Sequence, residues 1–117
     1  MSRTSKTTLT SAMFDVLLAL TDGERHGYAI MQEIARRNYG KRQLGPGTLY
    51  RTVHHLLGLG LIAESGERPD PTIDDERRRY YRITAAGREV ARDEARRLEE
   101  IVQTARARHL LDVGGAP

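Results

Sequence analysis

Apolar residues recur along this chain in short blocks separated by glycine-rich or polar breaks. Leu9, Met13, Val16, Leu17 and Leu20 step by four, three, one and three, which places them on one stripe of a helix spanning Leu9 to Leu20. Thr7, Thr8 and Thr10 offer hydroxyls to cap its start, and Asp22-Gly23 ends it. Tyr28, Ile30, Met31, Ile34 and Ala35 predict a second, shorter amphipathic helix that stops before Asn38 and Gly40. Gly45-Pro46-Gly47 breaks the chain again, and Pro46 suits the first turn of a helix, where a missing N–H loses no partner. Leu49, Val53, Leu56, Leu57 and Gly60 then share one face of a third helix, closed by Gly58 and Gly60.

The period changes after that. Leu61-Ile62-Ala63-Glu64 reads as a short strand, the loop Arg68 to Asp75 carries Pro69, Pro71 and three aspartates, and the alternating Arg79-Tyr80-Tyr81-Arg82-Ile83 returns as the second strand of a hairpin. Thr84 is placed to cap a long last helix, Ala85 to Arg108, roughly 37 Å at 1.5 Å per residue. Three helices, a two-stranded hairpin and a long helix form the winged helix-turn-helix arrangement, mainly α with a small β-hairpin, whose third helix enters the DNA major groove. The expected units are residues 1–84 as the winged-helix domain, 85–110 as a dimerisation helix and 111–117 as a disordered tail.

Composition narrows the chemistry. At 117 residues, with 38% hydrophobic and 30% charged, the chain suits one small domain with a shallow core. There is no Cys, which excludes disulfides, thiol nucleophiles and Cys-liganded metal. A polar start and no apolar run near the ~20 residues of a membrane span lead to the expectation of a soluble, cytoplasmic protein with no membrane partner. The net charge of +3 is concentrated: no acid stands between Glu33 and Glu64, while Arg36, Arg37, Lys41, Arg42 and Arg51 do, and Arg77, Arg78, Arg79 and Arg82 form a second focus. Phosphate is expected there first.

With Leu49, Val53 and Leu56 facing the core, helical rotation puts Gly47, Arg51, His54, His55 and Gly58 on the outer side of the third helix. That face has no acid, and its glycines permit close approach of another backbone. Arg51 suits a guanine edge or a phosphate, and Thr48 and Tyr50 lie where they reach phosphate or base edges, although the Tyr50 ring equally suits a half-core position. His54 and His55, adjacent on a helix, diverge by about 100° and do not form a ligand pair, so no metal and no cofactor is expected. His26 is expected to cap or pack at the start of the second helix. No nucleophile motif, phosphate loop or zinc signature is present, which argues against an enzyme.

Four motifs in order, His26-Gly27-Tyr28-Ala29-Ile30, Gly45-Pro46-Gly47-Thr48-Leu49-Tyr50, Leu59-Gly60-Leu61-Ile62 and Arg79-Tyr80-Tyr81-Arg82-Ile83-Thr84-Ala85-Ala86-Gly87, resemble PadR-type transcriptional regulators over about Leu9 to Leu98. The resemblance implies a winged-helix homodimer on palindromic double-stranded DNA, generally a repressor, of the short-tailed branch with one C-terminal helix. It makes Tyr50 the phosphate-contacting tyrosine, puts Thr48 and Arg51 where the recognition helix is read, and puts Arg68, Arg78 and Arg79 at the wing; Lys41 and Arg42 of the acid-free stretch are expected to contact DNA as well. It also implies room for a small-molecule effector. Some members hold flat aromatic drugs between tryptophans; this chain has no Trp, and Leu98 stands at that position.

Ala91, Ala95, Leu98, Val102 and Ala105 step by four, three, four and three, the spacing of a coiled-coil seam, and Ile101 widens it. Leu9 and Met13 of the first helix are expected against the partner's long helix. The competing class is a winged helix that binds protein rather than DNA, which calls for acids or apolar residues on the outer face of the third helix.

Overall fold

The computed structural model of the chain describes residues 8–37, 44–67 and 79–111. Helix α1 (Ser11–Ala19) is shorter at both ends than its apolar stripe. Its cap is Thr10, whose hydroxyl accepts the Met13 N–H at 3.1 Å while the Met13 sulfur accepts the Thr10 N–H. A turn through Gly23 leads to strand β1 (Arg25–His26) and helix α2 (Gly27–Arg37). Helix α3 (Pro46–Gly58) begins with Pro46 in its first turn, as expected. Strands β2 (Ile62–Glu67) and β3 (Arg79–Ile83) follow, and then helix α4 (Ala85–Ala107).

The sheet carries one strand more than the two-stranded hairpin expected. The sheet runs β1-β3-β2, antiparallel throughout, with Arg25 opposite Tyr81 and His26 opposite Tyr80. Two residues are too few to show an alternating pattern, so β1 is made by its partner strand and not by its own sequence. Strand β2 also runs further than Glu64, through a register shift between Glu64 and Gly66. Residues 68–78 and 112–117 lie outside the described residues, and with them the expected loop from Arg68 to Asp75 and all of the expected tail but Leu111, as do Lys41 and Arg42.

The stripes meet in one core. Val16, Leu17, Leu20, Ile30, Ile34, Leu49, Val53 and Leu56 are the largest fully buried side chains, and Leu61, Ile62, Tyr81, Ile83 and Val90 close around them. Full burial of each such aliphatic side chain is worth about 1.5–3 kcal/mol, more than the ~1 kcal/mol net of a hydrogen bond, so burial sets where the helices cross.

One junction fixes the long helix to this core. Helix α3 ends in a left-handed Gly60 (φ 76°), with the Leu61 N–H bonded to the Leu56 carbonyl and the Gly60 N–H to the Leu57 carbonyl. The Thr84 hydroxyl donates to the exposed Gly60 carbonyl at 2.7 Å and accepts the Gly87 N–H at 3.0 Å, capping α4. The Thr84 N–H binds the Leu61 carbonyl at 3.1 Å. At Gly87 a Cβ would stand 2.0 Å from that same carbonyl oxygen.

Gly87→Ala should therefore force α4 off the α3 exit and cost about 3 kcal/mol. Thr84→Ala should cost about 1–2 kcal/mol through the lost cap. Urea unfolding followed by circular dichroism checks both, and a Gly87→Ala variant as stable as the parent would contradict the junction.

Candidate nucleic-acid interface

Helix α3 is held with one face out. Gly47, Arg51, His54, His55 and Gly58 are all exposed, on the side opposite Leu49, Val53 and Leu56, and no acid stands among them. Arg51 leans back along the helix, with Nη2 donating to the half-buried Thr48 hydroxyl at 3.3 Å. A Cβ at Gly47 or Gly58 would meet nothing within 4 Å, so the chain's own packing does not require glycine there and the backbone is left bare to an approaching surface.

Tyr50 sits differently from its neighbours. Its ring is half-buried against the core, and its hydroxyl lies over Gly27, where a Cβ would fall 2.2 Å from the oxygen. The tyrosine thereby joins the first turns of α2 and α3. At the start of α2 the Ala29 N–H donates to His26 Nδ1 at 3.0 Å, so His26 caps α2 through an accepting ring nitrogen. The His26 ring meets Tyr80 of β3 edge to face at 5.3 Å.

The cations divide into two groups. Arg37 donates to the Asp15 carbonyl at 3.0 Å and lies near the Asp15 and Glu33 carboxylates, which ties α2 to α1. Arg25 donates to the Ala19 carbonyl at 2.7 Å and pairs with Asp22 at 3.2 Å, and Arg36 pairs with Glu33. These side chains are committed to the head. Arg51, Arg79 and Arg82 are exposed and pair with no acid among the described residues. Of the wing residues named from the sequence, Arg79 begins β3, and Arg68 and Arg78 lie outside the described residues. A cleft of about 180 Å³ separates α3 from the sheet, between His54 and Leu57 on one side and Glu64 and Arg79 on the other. Glu64 was given no role by the sequence; only pairing of β2 with β3 brings it to the same cleft as Arg79.

Two residues expected at the dimer seam are already buried within the chain itself. Met13 is 3% exposed and Ala91 7% exposed, both covered by the chain's own core. Met13 belongs to α1 and Ala91 to the first turns of α4, and both side chains pack into the same core. Leu9, Leu98 and Ala105 are half-buried, Ala95 is exposed, and Ile101 (50%) and Val102 (39%) stand clear of the head. The uncovered part of the stripe therefore begins at Ala95. A hollow of about 320 Å³ lies where α1 meets α4, between Leu9, Phe14 and Leu98, with Glu94 and Arg97 at its edge. Arg97 grips Glu94 through Nε at 3.0 Å and Nη2 at 2.7 Å, and these bonds hold the Glu94 carboxyl below the usual carboxylate range.

No described helix is long and apolar enough to cross a membrane, and no described group of three or more His, Cys, Asp or Glu is placed to hold a metal. The profile of the transcriptional regulator PadR-like family matches residues 16–93. The transcriptional regulator Rv3488 of Mycobacterium tuberculosis is 39% identical over 88 residues, covering 75% of this chain and 76% of its own. A PadR family transcription regulator of Clostridium difficile superposes with a TM-score of 0.68 at 18% identity, covering 84% of this chain and 97% of that one. BpsR of Bordetella bronchiseptica, whose DNA binding is regulated by 6-hydroxynicotinic acid, superposes at 0.63 with 25% identity, covering 93% of this chain and 68% of that one.

Because Tyr50 fills the space a Cβ would need at Gly27, Gly27→Ala should loosen α3 from α2 and cost about 1–3 kcal/mol. Tyr50→Phe keeps the ring and should cost less. Chemical denaturation of the two variants checks the order, and equal losses would mean that the hydroxyl rather than the packed ring holds the turn.

Proposed function

The chain belongs to the PadR-like family of transcriptional regulators, which are not enzymes, and we propose that it works as a homodimeric repressor reading a palindromic operator through α3 and the β2–β3 wing. The observation that carries this is the acid-free outer face of α3. A solvated helix face ordinarily mixes charges; this one presents Arg51, His54, His55 and two glycines, with Arg79 adjoining it. Lys41, Arg42, Arg68 and Arg78 add positive charge at its two ends in sequence. Base edges are then read by Arg51 and the two histidines, while Thr48, Tyr50 and the wing arginines fix the register on phosphate.

The dimer is built on the overhanging part of α4. Leu98, Ile101, Val102 and Ala105, with Ala95 and Leu9 at the margin, form an apolar strip that a second copy covers, and the alternating charges beside it remain in solvent. Two-fold symmetry then sets the recognition helices about 34 Å apart, one turn of DNA, which makes the operator palindromic. The hollow between Leu9 and Leu98 adjoins that strip. A small effector bound there acts on the spacing of the two heads; that the DNA binding of BpsR is regulated by 6-hydroxynicotinic acid supports an effector, not its place.

Gel shifts against DNA upstream of the protein's own gene test the central point: a specific complex is expected, and its affinity should fall with salt at a log–log slope of about 0.9 per phosphate contact. Arg51→Ala should cost ~1–3 kcal/mol at one base pair if the guanidinium reads guanine, or weaken all sequences alike if it holds phosphate. Operator affinity unchanged both in Arg51→Ala and in an Arg78→Ala, Arg79→Ala double variant rules the surface out. Sedimentation should give a dimer at micromolar concentration, reduced to a monomer by Leu98→Asp with Val102→Asp.

A further inference from the structure

The wing is fastened to the head at a point that no DNA contact requires. Strand β2 breaks register between Glu64, opposite Tyr81, and Gly66, opposite Tyr80, so that Ser65 is an extra residue. Gly66 takes φ 112°, a conformation that side-chain-bearing residues rarely adopt, with open space around it. Such a bulge bends its strand and increases its twist, which changes where the strand beyond it points. The Ser65 hydroxyl donates to Glu24 Oε1 at 3.1 Å. Glu24 leads into β1 and Ser65 lies in β2, the two edge strands, so the bond reaches across β3. The turn carrying Glu24 is itself pinned: Arg88 of α4 donates to the Thr21 carbonyl at 2.9 Å, and Arg25 donates to the Ala19 carbonyl.

We propose that Glu24, Ser65 and Gly66 form a strap that aims the wing, making them positioning residues for DNA binding that themselves touch no DNA. The proposal rests on the wing being part of the DNA surface. A simple electrostatic role predicts the opposite sign, because removing a carboxylate from a protein that binds phosphate should strengthen binding. Glu24→Gln separates the two, since it removes the charge and keeps an oxygen acceptor for Ser65.

Two readouts apply. In the DNA-free full chain, amide exchange at the β2 and β3 hydrogen bonds should quicken in Glu24→Ala, Ser65→Ala and Gly66→Ala, and should stay near the parent in Glu24→Gln and Ser65→Thr. On a sequence selected by the parent from a random pool, Glu24→Ala and Ser65→Ala should bind about three- to tenfold more weakly, the scale of one net hydrogen bond. Hydroxyl-radical protection should be lost at the wing positions only, while Glu24→Gln binds as the parent or slightly better. Unchanged wing exchange in Glu24→Ala overturns the strap, as does tighter binding by Glu24→Ala and Glu24→Gln alike. A parent that selects no sequence overturns the DNA reading instead, and the exchange data still judge the strap.

Discussion

The contact between the first turn of α4 and the exit of α3 determines what the rest of the molecule can do. The Leu61 carbonyl, just past the exit of α3, accepts the Thr84 N–H, and Gly87 lets the two backbones close to a distance no side chain would allow. With this junction in place, the long helix leaves the head in a single direction. The orientation of the exposed face of α3 and the direction in which the uncovered strip of α4 projects are thereby set by the same few atoms. A small domain with one layer of core has little else with which to orient a helix of 23 residues.

Charge in this protein serves two ends, and the structure separates them. Arg25, Arg36 and Arg37 are engaged by Asp22, Glu33, Asp15 and backbone carbonyls; Arg37, between the partly buried Asp15 and Glu33, ties α2 to α1, and Arg25 reaches the end of α1 at the Ala19 carbonyl. The arginines of α3 and β3 face solvent. Counting cations along the acid-free stretch therefore overstates its basic surface, because the acids that neutralise Arg36 and Arg37 come from earlier in the chain and from the adjoining helix turn. Arg51 has no such neighbour among the described residues, which leaves it as the strong donor on the outer face of α3.

The four helices, the returning strand and the outer face of α3 were legible because each rests on a repeat of several residues: Leu49, Val53 and Leu56 are buried, and Arg51, His54 and His55 are exposed, as helical rotation requires. Features built from one or two residues were not legible. Strand β1 exists because Tyr80 and Tyr81 lie beside Arg25 and His26, and the Ser65 bulge exists because its partner strand is one residue shorter. Met13 and Ala91 show a different limit. Their periodicity correctly placed them on an apolar stripe, but periodicity does not distinguish a stripe covered by the same chain from one covered by a second. The half-buried Tyr50 falls between these cases, near enough to the stripe's edge that Gly27, from another helix, decides its position.

The empty space around Gly47 and Gly58 bears on how such a protein changes over generations. Nothing in the fold presses on either position, and alanine in a helix is worth up to about 1 kcal/mol over glycine. Drift under selection for stability alone would replace both. Their persistence would thus mark the outer face of α3 as a part of the chain where selection acts through something other than stability, and where the surface can change without disturbing the core beneath it.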